Sequence, residues 1–336
     1  MEPLRFGMLG AARIAERSLV SPAAATGDRI VAVAARDRDR AAAFADRHGV
    51  ENVLDSYDEV VASPEVEVVY NPLANALHGP WNLAAARAGK HVLSEKPFAS
   101  NATEARQVAD AARAAGVTVI EGFHYLFHPV MRRAHEILAS GELGELTHVQ
   151  ARTRMPPPPD DDPRWSLELA GGSVMDLGCY GLHAHRMLAP FAGGTPVLTG
   201  ARGAERAGRP GVDEWIQAHL RFPNGASGLS RSSMVHDDFG MTLRLVGSVG
   251  ELVVADYVQP HKDDGLHVSV PAGTRVERLG TRSSYLYQLE AVREHLRNGA
   301  ELPIGIDDAV EAAEMIDDIY RAAGFEPRPS RVPISS

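Results

Sequence analysis

The chain has 336 residues, of which 44% are hydrophobic, and a formal net charge of −10 at pH 7. This length and apolar content predict two domains with ample cores, and the acidic balance argues against a polyanionic partner such as DNA. Cys179 is the sole cysteine, which excludes a disulfide framework and a cysteine-based zinc site. No signal peptide and no apolar run of membrane length stand out, so we expect a cytoplasmic protein.

The first third of the chain alternates apolar runs with helical segments. Strands that alternate with helices form a parallel sheet covered on both faces, so residues 1–122 are predicted to form an α/β Rossmann domain that binds a dinucleotide. The predicted strands include Arg5–Leu9, Ile30–Ala34, Val66–Tyr70 as the fourth, His91–Ser94 and Val117–Glu121 as the sixth, with helices at Arg38–His48, Tyr57–Ala62, His78–Ala88 and Ala102–Ala115.

The turn after the first strand stands where a dinucleotide-binding motif belongs. In the frame G-x-G-x-x-G it reads Gly10, Ala12 and Ala15. Gly10 can form the tight turn and Ala15 is small enough for close packing, but Ala12 carries a methyl group where the backbone usually comes nearest the pyrophosphate. The candidate cofactor-binding residues of this turn are Gly10, Ala11, Ala12, Arg13 and Ile14.

The end of the second strand bears on the choice of cofactor. NAD-selective sheets place an acid there to bind the ribose, whereas this chain has Ala35-Arg36-Asp37. A guanidinium suits a phosphate dianion, so Arg36 favours NADP(H). Two alternatives stay open: Asp37 caps the following helix and leaves Arg36 in solvent, or Asp37 binds the ribose and NAD is used.

Polar residues also follow the later strands, at the carboxyl edge where such sheets bind ligands. Asn75 and His78 come after the fourth strand. Glu95-Lys96-Pro97 ends the next strand abruptly, because proline cannot continue the ladder. We predict that Asn75, His78, Glu95 and Lys96 bind the cofactor. Lys96 is also a candidate proton donor or electrostatic clamp, although an isolated lysine would simply be solvated.

The second half of the chain is rich in strands. Consecutive strands without intervening helices indicate a mostly antiparallel, open sheet, and Asn224-Gly225 signals a hairpin. Residues 123–336 are therefore predicted to form an α+β domain for substrate binding and oligomerisation. Its strands are predicted at Thr147–Arg152, Ile216–Phe222, Ala226–Ser232, Thr242–Gly247 and Glu251–Ala255, and its helices at Val130–Ala139, Ser284–Asn298 and Asp307–Ala323.

A further helix, predicted from about Ser173 to Leu188, carries an unusual polar stripe. Asp176, Tyr180 and His183 are spaced i, i+4, i+7 and so share one face. Such a stripe is costly to bury unless it faces a polar site, although a structural hydrogen-bond cluster would also account for it.

No metal site is predicted. The triplet Asp160-Asp161-Asp162 follows a proline run and lacks a ligand-spaced partner, so it is interpreted as a solvated loop. His124 and His128 are four residues apart, but Pro129 makes a shared helix face doubtful.

Several motifs in order resemble the Gfo/Idh/MocA oxidoreductase family over nearly the whole chain. They are Glu95-Lys96-Pro97, Gly122-Phe123-His124-Tyr125 and Gly171-Gly172 followed by Asp176, Gly178 and Tyr180. Within the family the chain is most similar to the branch of glucose–fructose oxidoreductase, dihydrodiol dehydrogenase and NADP-dependent sugar dehydrogenases and ketoreductases. In that branch a tyrosine, here Tyr180, replaces the histidine of inositol dehydrogenase-like members.

The resemblance implies an enzyme that transfers hydride between NADP(H) and a carbinol or ketone of a sugar or another polyhydroxylated ring. Lys96 and Tyr180 would flank the carbinol carbon, and either could move the proton, while Asp176 would orient the substrate or the lysine. The side chains expected to face the substrate are His124, Tyr125, Arg164, Trp165 and His183.

Other functions remain possible at this point. One is oxidation of cyclic diols, as in trans-dihydrodiol dehydrogenases. Another is NADP(H) sensing without turnover, but a sensor would not need a proton donor such as Lys96 or Tyr180 at the nicotinamide. The substrate and the direction of hydride transfer stay open. One face of an open sheet needs a cover, so we expect a homodimer or a higher oligomer that packs through it.

Overall fold

The computed structural model describes residues 2–332. These form two compact units: the first comprises the chain up to Phe123, Tyr285–Ala313 and the segment from Pro329, and the second comprises His124–Ser284 and Glu314–Arg328. The domains 1–122 and 123–336 stay a prediction. The first unit also includes the C-terminal segment Tyr285–Ala313. Within this segment Arg297 pairs with Glu67 (2.7 Å) of the same unit.

The first unit is built on a parallel sheet of five strands, which confirms the predicted α/β class. The strands are β1 (Arg5–Leu9), β2 (Arg29–Ala34), β3 (Val68–Asn71), β4 (His91–Ser94) and β5 (Val119–Glu121), in the order β2-β1-β3-β4-β5. The prediction numbered six strands. Between β2 and β3 the described chain adds only a single bridge, from Val53 to Val33. The order reverses between β1 and β3, and ligands bind such sheets at the carboxyl edge near this point.

Helices of the first unit bury small apolar side chains against the sheet. A π-helical segment, Glu16–Val20, leads into the first of them. Asp37 and Asn101 cap the second and the fifth, each accepting a bond from a backbone N–H of the first turn. The helices are α1 (Ser21–Thr26), α2 (Arg38–His48), α3 (Tyr57–Ala62), α4 (His78–Arg87) and α5 (Ala102–Ala115).

The second unit contains an eight-stranded sheet in the order β13-β12-β11-β10-β6-β9-β8-β7. Only β6 and β9 pair in parallel, so the sheet is mostly antiparallel and the α+β prediction is confirmed. The strands are β6 (Leu146–Arg154), β7 (Val197–Glu205), β8 (Asp213–Arg221), β9 (Ser227–Ser233), β10 (Gly240–Gly247), β11 (Glu251–Val254), β12 (Gly265–Val270) and β13 (Gly273–Arg278).

Four further helices are α6 (Pro129–Ala139), α7 (Cys179–Arg186), α8 (Ser284–Asn298) and α9 (Ile306–Ala322). The helix predicted from Ser173 is interrupted, because Val174–Gly178 forms a π-helical segment before α7 begins. α7 packs on β6 and β9, and Gly181 faces Ser230 so closely that a Cβ would lie 2.6 Å from its Oγ. Within residues 2–332, every helix is too short or too polar to cross a bilayer.

Candidate active site

The turn after β1 brings the backbone of Gly10 close to the end of β2. Gly10 has a φ of 84°, which favours glycine, and its N–H donates to the carbonyl of Ala34 (2.6 Å). A Cβ on Gly10 would lie 3.0 Å from Leu73 Cδ2, across the turn from the loop after β3. Residues 11–14 follow as irregular turn, with the helical segments beginning after them. This tight turn at the carboxyl edge of β1 has the position at which Rossmann sheets bind a pyrophosphate.

Arg36 and Asp37 have different environments at the end of β2. The Asp37 carboxylate accepts bonds from two N–H groups of the first turn of α2, so it serves as the helix cap. Arg38 pairs with a carboxylate on a later loop, and Arg40 donates to a carbonyl of the turn after β1 (3.2 Å). Arg36 is exposed and forms no ion pair with a carboxylate in residues 2–332. Its guanidinium therefore remains available for a phosphate.

His78 joins the loop after β3 to the loop after β4. Its Nδ1 lies 2.6 Å from the carbonyl oxygen of Pro97, and its Nε2 lies 2.9 Å from that of Leu73. Burial is the main reason that the pKa of His78 is lowered to about 4. A neutral ring has one N–H and donates to one of these carbonyls while it contacts the other, so His78 positions the segment after Lys96. A direct contact of His78 or Asn75 with a cofactor stays a prediction.

Glu95 and Lys96 follow directly after β4 at the carboxyl edge of the sheet. Tyr70 Oη donates to Glu95 Oε1 (2.9 Å), and Ser18 Oγ lies 2.5 Å from Tyr70 Oη. Burial raises the pKa of Glu95, and the nearby Lys96 opposes this shift. The hydrogen-bonded series Ser18–Tyr70–Glu95 thus links the π-helical segment after the β1 turn to Glu95, which directly precedes Lys96. Sequence reasoning missed Tyr70, since it reads only as the end of an apolar strand.

Asp176 and Arg164 form an ion pair in the second unit. Arg164 Nε donates to Asp176 Oδ2 (2.7 Å), and its Nη1 also reaches Asp162 (3.2 Å). The Asp176 carboxylate is the main reason that the pKa of Arg164 is raised. The side chain of Arg164 is 39% exposed and that of Asp176 is 14% exposed, so the pair lies at the surface of the unit, where a ligand could reach it.

Trp165, one of the side chains predicted to face the substrate, is buried; a contact with substrate stays a prediction. Only 1% of it is exposed, and its indole N–H donates to the carbonyl of Pro158 (3.2 Å). The guanidinium of Arg206 lies 4.8 Å from its ring centroid on the other side. Trp165 therefore anchors the proline-rich segment, because its one polar atom is satisfied there and its ring is covered.

Tyr180 belongs to a buried aromatic cluster. Its ring centroid lies 6.1 Å from that of Tyr125 and 6.2 Å from that of His124, both edge to face. Tyr125 Oη and His183 Nδ1 are 2.7 Å apart, and both residues are fully buried. Tyr257, which sequence reasoning missed because it follows a short strand, packs on Tyr125 at 5.5 Å. Tyr125 thus packs against the Tyr180 ring and is itself held in place by its hydrogen bond to His183.

The glycine pair before the π-helical segment admits a buried carboxylate. Asp213 and Arg328 form an ion pair with both side chains fully buried. Asp213 also accepts bonds from Tyr320 Oη (3.0 Å) and Ser173 Oγ (2.7 Å). A Cβ on Gly172, whose φ is 125°, would lie only 2.0 Å from Asp213 Oδ1. The Gly-Gly sequence therefore lets this carboxylate fix the start of the helix that carries Asp176 and Tyr180.

The two histidines considered as metal ligands have other partners. His124 Nδ1 lies 2.8 Å from Ser284 Oγ, and His128 Nδ1 accepts from the N–H of Val130 at the start of α6 (3.2 Å). Across residues 2–332, no group of three or more His, Cys, Asp or Glu side chains could hold a metal ion.

Comparisons with known proteins match both units. Residues 4–123 match the family model described as "Oxidoreductase family, NAD-binding Rossmann fold", and residues 131–253 match "GFO/IDH/MocA C-terminal domain". The chain is 34% identical over 323 residues to D-xylose 1-dehydrogenase (NADP(+)) 2 of Haloferax volcanii, covering 95% of this chain and 97% of that protein. It is 30% identical over 334 residues to mouse trans-1,2-dihydrobenzene-1,2-diol dehydrogenase, covering 96% and 97%.

Among solved structures, the chain is similar to a 3-ketoreductase from Actinomadura kijaniata in complex with NADP and TDP-benzene. The TM-score is 0.88 at 27% identity, covering 96% of this chain and 98% of that one. Further structures of the same ketoreductase carry a substitution of one lysine or one tyrosine. These two are separated along its chain by as many residues as Lys96 and Tyr180 are here. Both units match models of this family, and the chain is at least 30% identical to two of these enzymes over nearly its full length. The chain therefore belongs to the Gfo/Idh/MocA oxidoreductase family.

Proposed function

We propose that this chain is an NADP(H)-dependent dehydrogenase or reductase that transfers hydride to or from a carbinol carbon of a sugar or another polyhydroxylated ring. One observation carries the proposal: Lys96 follows β4 at the carboxyl edge of a Rossmann sheet, in a chain that belongs to this oxidoreductase family. Relatives along nearly its whole length are named as NADP-dependent sugar dehydrogenases and sugar ketoreductases.

The first unit supplies the residues that would hold NADP(H). Gly10 leaves room for the pyrophosphate, and the backbone N–H groups of residues 11–14 lie in the turn beside it. Arg36 would bind the 2′-phosphate, since its guanidinium is exposed and has no carboxylate partner in residues 2–332. When bound, the nicotinamide accepts or supplies the hydride.

Lys96 and Tyr180 are proposed to act on the same substrate oxygen. In oxidation Tyr180 takes the proton of the substrate hydroxyl, and in reduction it returns that proton to the forming alkoxide. The ammonium group of Lys96 stabilises the negative charge that develops on this oxygen. Asp176, held in place by Arg164, orients neighbouring hydroxyls of the substrate. The lysine and tyrosine substituted in the related ketoreductase, at the same separation, support this pairing.

A substrate screen tests the proposal. Purified protein is incubated with NADP⁺ and either free aldoses or cyclic trans-diols, and with NADPH and nucleotide-linked ketosugars, while the nicotinamide absorbance is followed. We expect turnover with a sugar substrate. Turnover with diols alone would favour the activity for which the mouse relative is named. No absorbance change with any class would contradict the proposal.

Assembly and location are part of the proposal. One face of the sheet in the second unit carries half-buried Leu229, Val246 and Val253 beside exposed arginines. We propose that a second copy covers this face in a homodimer or higher oligomer, because half-buried apolar side chains gain from burial. A monomer in sedimentation at micromolar concentration would contradict this.

We place the protein in the cytoplasm, where cell fractionation should recover it.

A further inference from the structure

A bridge of two imidazoles and one hydroxyl lies in the second unit, outside the groups that the proposed mechanism uses. Ser284 Oγ is 2.8 Å from His124 Nδ1 and 3.0 Å from His261 Nδ1. Ser284 is fully buried and His124 is 1% exposed, whereas His261 is partly exposed. The bridge therefore runs from the interior of the unit to its surface.

The inner end of this bridge stands beside Tyr180. The rings of His124 and Tyr180 meet nearly perpendicularly, with centroids 6.2 Å apart. Only 6% of Tyr180 is exposed, so most of the residue that would take up the proton is screened from water. A neighbouring imidazole can pass such a proton on, directly or through one water molecule.

We infer that His124, Ser284 and His261 conduct the reaction proton between Tyr180 and solvent; the inference rests on the proposed function. In oxidation the substrate carbon gives its hydride to NADP⁺, and the hydroxyl proton goes to Tyr180 and then to His124. His124 Nδ1 gives a proton to Ser284 Oγ while the proton that Ser284 Oγ already carried moves to His261 Nδ1. His261 then releases its Nε2 proton to water, and reduction runs the same steps in reverse.

Ser284 suits this transfer because a hydroxyl is both donor and acceptor. It can accept from one imidazole while it donates to the other, and reversing both bonds moves one proton across it without moving a heavy atom. An alanine there would leave both imidazoles in place but separate them.

The groups around His261 permit a transient positive charge on its ring. Burial is the main reason that the pKa of His128, which faces His261, is lowered to about 4, so His128 is neutral near pH 7. The negative charge of Asp264 acts on the same pair of histidines. Its carboxylate accepts bonds from Arg278 (3.0 Å) and from the N–H of Gly280 (2.7 Å). The Arg278 guanidinium in this set is paired with Asp264, which offsets its positive charge.

A second hydrogen-bonded pair beside Tyr180 does not lead outward. Tyr125 Oη bonds to His183 Nδ1 at 2.7 Å, and Tyr125 contacts the Tyr180 ring at the same range as His124 does. Both Tyr125 and His183 are fully buried. This pair therefore provides a matched comparison: it has similar chemistry and proximity but no exposed end.

Stopped-flow measurement of a single turnover tests the relay. Wild-type protein, NADP⁺ and a sugar found by the screen are mixed in weak buffer, and NADPH formation and proton release to a pH indicator are recorded together. In wild type the two signals coincide. In Ser284→Ala, or in His261→Asn if the buried variant fails to fold, proton release should lag by about 10²-fold, the scale of losing a proton-transfer group. Ser284→Thr should remove the lag.

Two further readouts separate a relay from a structural role. Raising the concentration of a small buffer base should abolish the lag in Ser284→Ala. Tyr125→Phe can lower turnover, but its two signals should still coincide. Coincident signals in Ser284→Ala and in His261→Asn would overturn the relay while leaving the proposed oxidoreductase function in place.

A measurement without turnover keeps the relay testable even if no substrate is found. In protein with ¹⁵N-labelled histidines, NMR follows the ring nitrogens of His124 and His261 as pH is varied. Coupling through the Ser284 hydroxyl predicts that the His124 signals respond to protonation of His261 in wild type and stop doing so in Ser284→Ala. Independent titration of the two rings in wild type would overturn the inference.

Discussion

At the scale of single residues, we propose that the choice of cofactor depends on Arg36. Asp37 could have bound a ribose, but its carboxylate is occupied by the first turn of α2. Arg36 is exposed at the end of β2 without a carboxylate partner in residues 2–332. The local sequence therefore leaves a positive charge where the 2′-phosphate of NADP(H) would lie.

Arg36→Ala should weaken NADP(H) binding by about 1.5–3 kcal/mol and leave NAD(H) binding unchanged, because only the former has a phosphate to pair with the guanidinium. Titration calorimetry with both cofactors measures this. Arg47→Ala, at an exposed arginine in the last turn of α2, is the matched control and should change neither affinity. Equal losses for both cofactors would show that Arg36 lies away from the phosphate.

Tyr180→Phe keeps the ring and its contacts with Tyr125 and His124 but removes the transferable proton. We expect kcat to fall by about 10²–10⁴-fold, with little change in cofactor affinity. The pH profile of kcat should also lose one limb. A variant as active as wild type would assign proton transfer to Lys96 or His183 and leave Tyr180 as a packing residue.

At the scale of elements, the Gly171-Gly172 pair shows how a motif can fix the start of the segment that carries Asp176 and Tyr180. Gly172 lies against the Asp213 carboxylate, which also bonds to Ser173 at the start of the π-helical segment. π-Helical turns alter the phase of a helix. Tyr180 and His183 accordingly both contact Tyr125, while Asp176, one turn earlier, pairs with Arg164.

Gly172→Ala should destabilise the protein by about 2 kcal/mol more than Gly273→Ala, because overpacking costs on this order. Both glycines have positive φ, 125° and 137°, so both variants carry backbone strain of about 1–3 kcal/mol. A Cβ on Gly273 meets nothing within 4 Å, whereas one on Gly172 meets Asp213. Urea unfolding measures the difference, and equal destabilisation would show that the carboxylate yields freely.

Elements with regular burial could be predicted from sequence, and irregular ones could not. α5 was predicted residue for residue, since Asn101 caps it and its apolar side chains recur every three or four positions. β7, β12 and β13 were missed; of these, β7 and β13 lie at the sheet edges, where mixed exposure removes the alternation. A pattern of residue types also cannot reveal a π-helical segment.

For the candidate site, chain order was enough to place Lys96 at the sheet edge, because proline stops the strand there. Tyr70, Asp213 and Ser284 could not be found, since their roles arise from partners distant in sequence. Trp165 was expected to face the substrate, and this stays a prediction; its bond to Pro158 could not be foreseen, because an indole N–H can be satisfied by a backbone carbonyl as well as by a ligand.

At the scale of the whole molecule, buried neutral imidazoles occur in both units. Burial is the main reason that the pKa values of His78 in the first unit and His185 in the second are each lowered to about 4 from 6.5. Their unfolded forms take up protons at higher pH than the folded forms do. The stability they contribute is therefore complete above pH 6.5 and is lost as pH falls toward 4.

The free energy of unfolding should consequently fall by several kcal/mol between about pH 6.5 and 4, since each lowered pKa is worth about 3 kcal/mol. Denaturant titrations at a series of pH values measure the slope. His185→Gln should reduce the slope, whereas His267→Gln, at an exposed position on β12, should leave it unchanged. A free energy of unfolding that does not vary over this range would contradict the assignment of neutral buried rings.

The account depends most directly on Lys96, and one measurement tests it. Lys96→Ala is compared with wild type in single-turnover hydride transfer on a substrate from the screen, alongside the dissociation constant for NADPH. Loss of the ammonium group that stabilises the developing oxyanion should slow hydride transfer by at least about 10²-fold, while NADPH affinity stays within a few fold. Near-wild-type hydride transfer in Lys96→Ala would contradict the account.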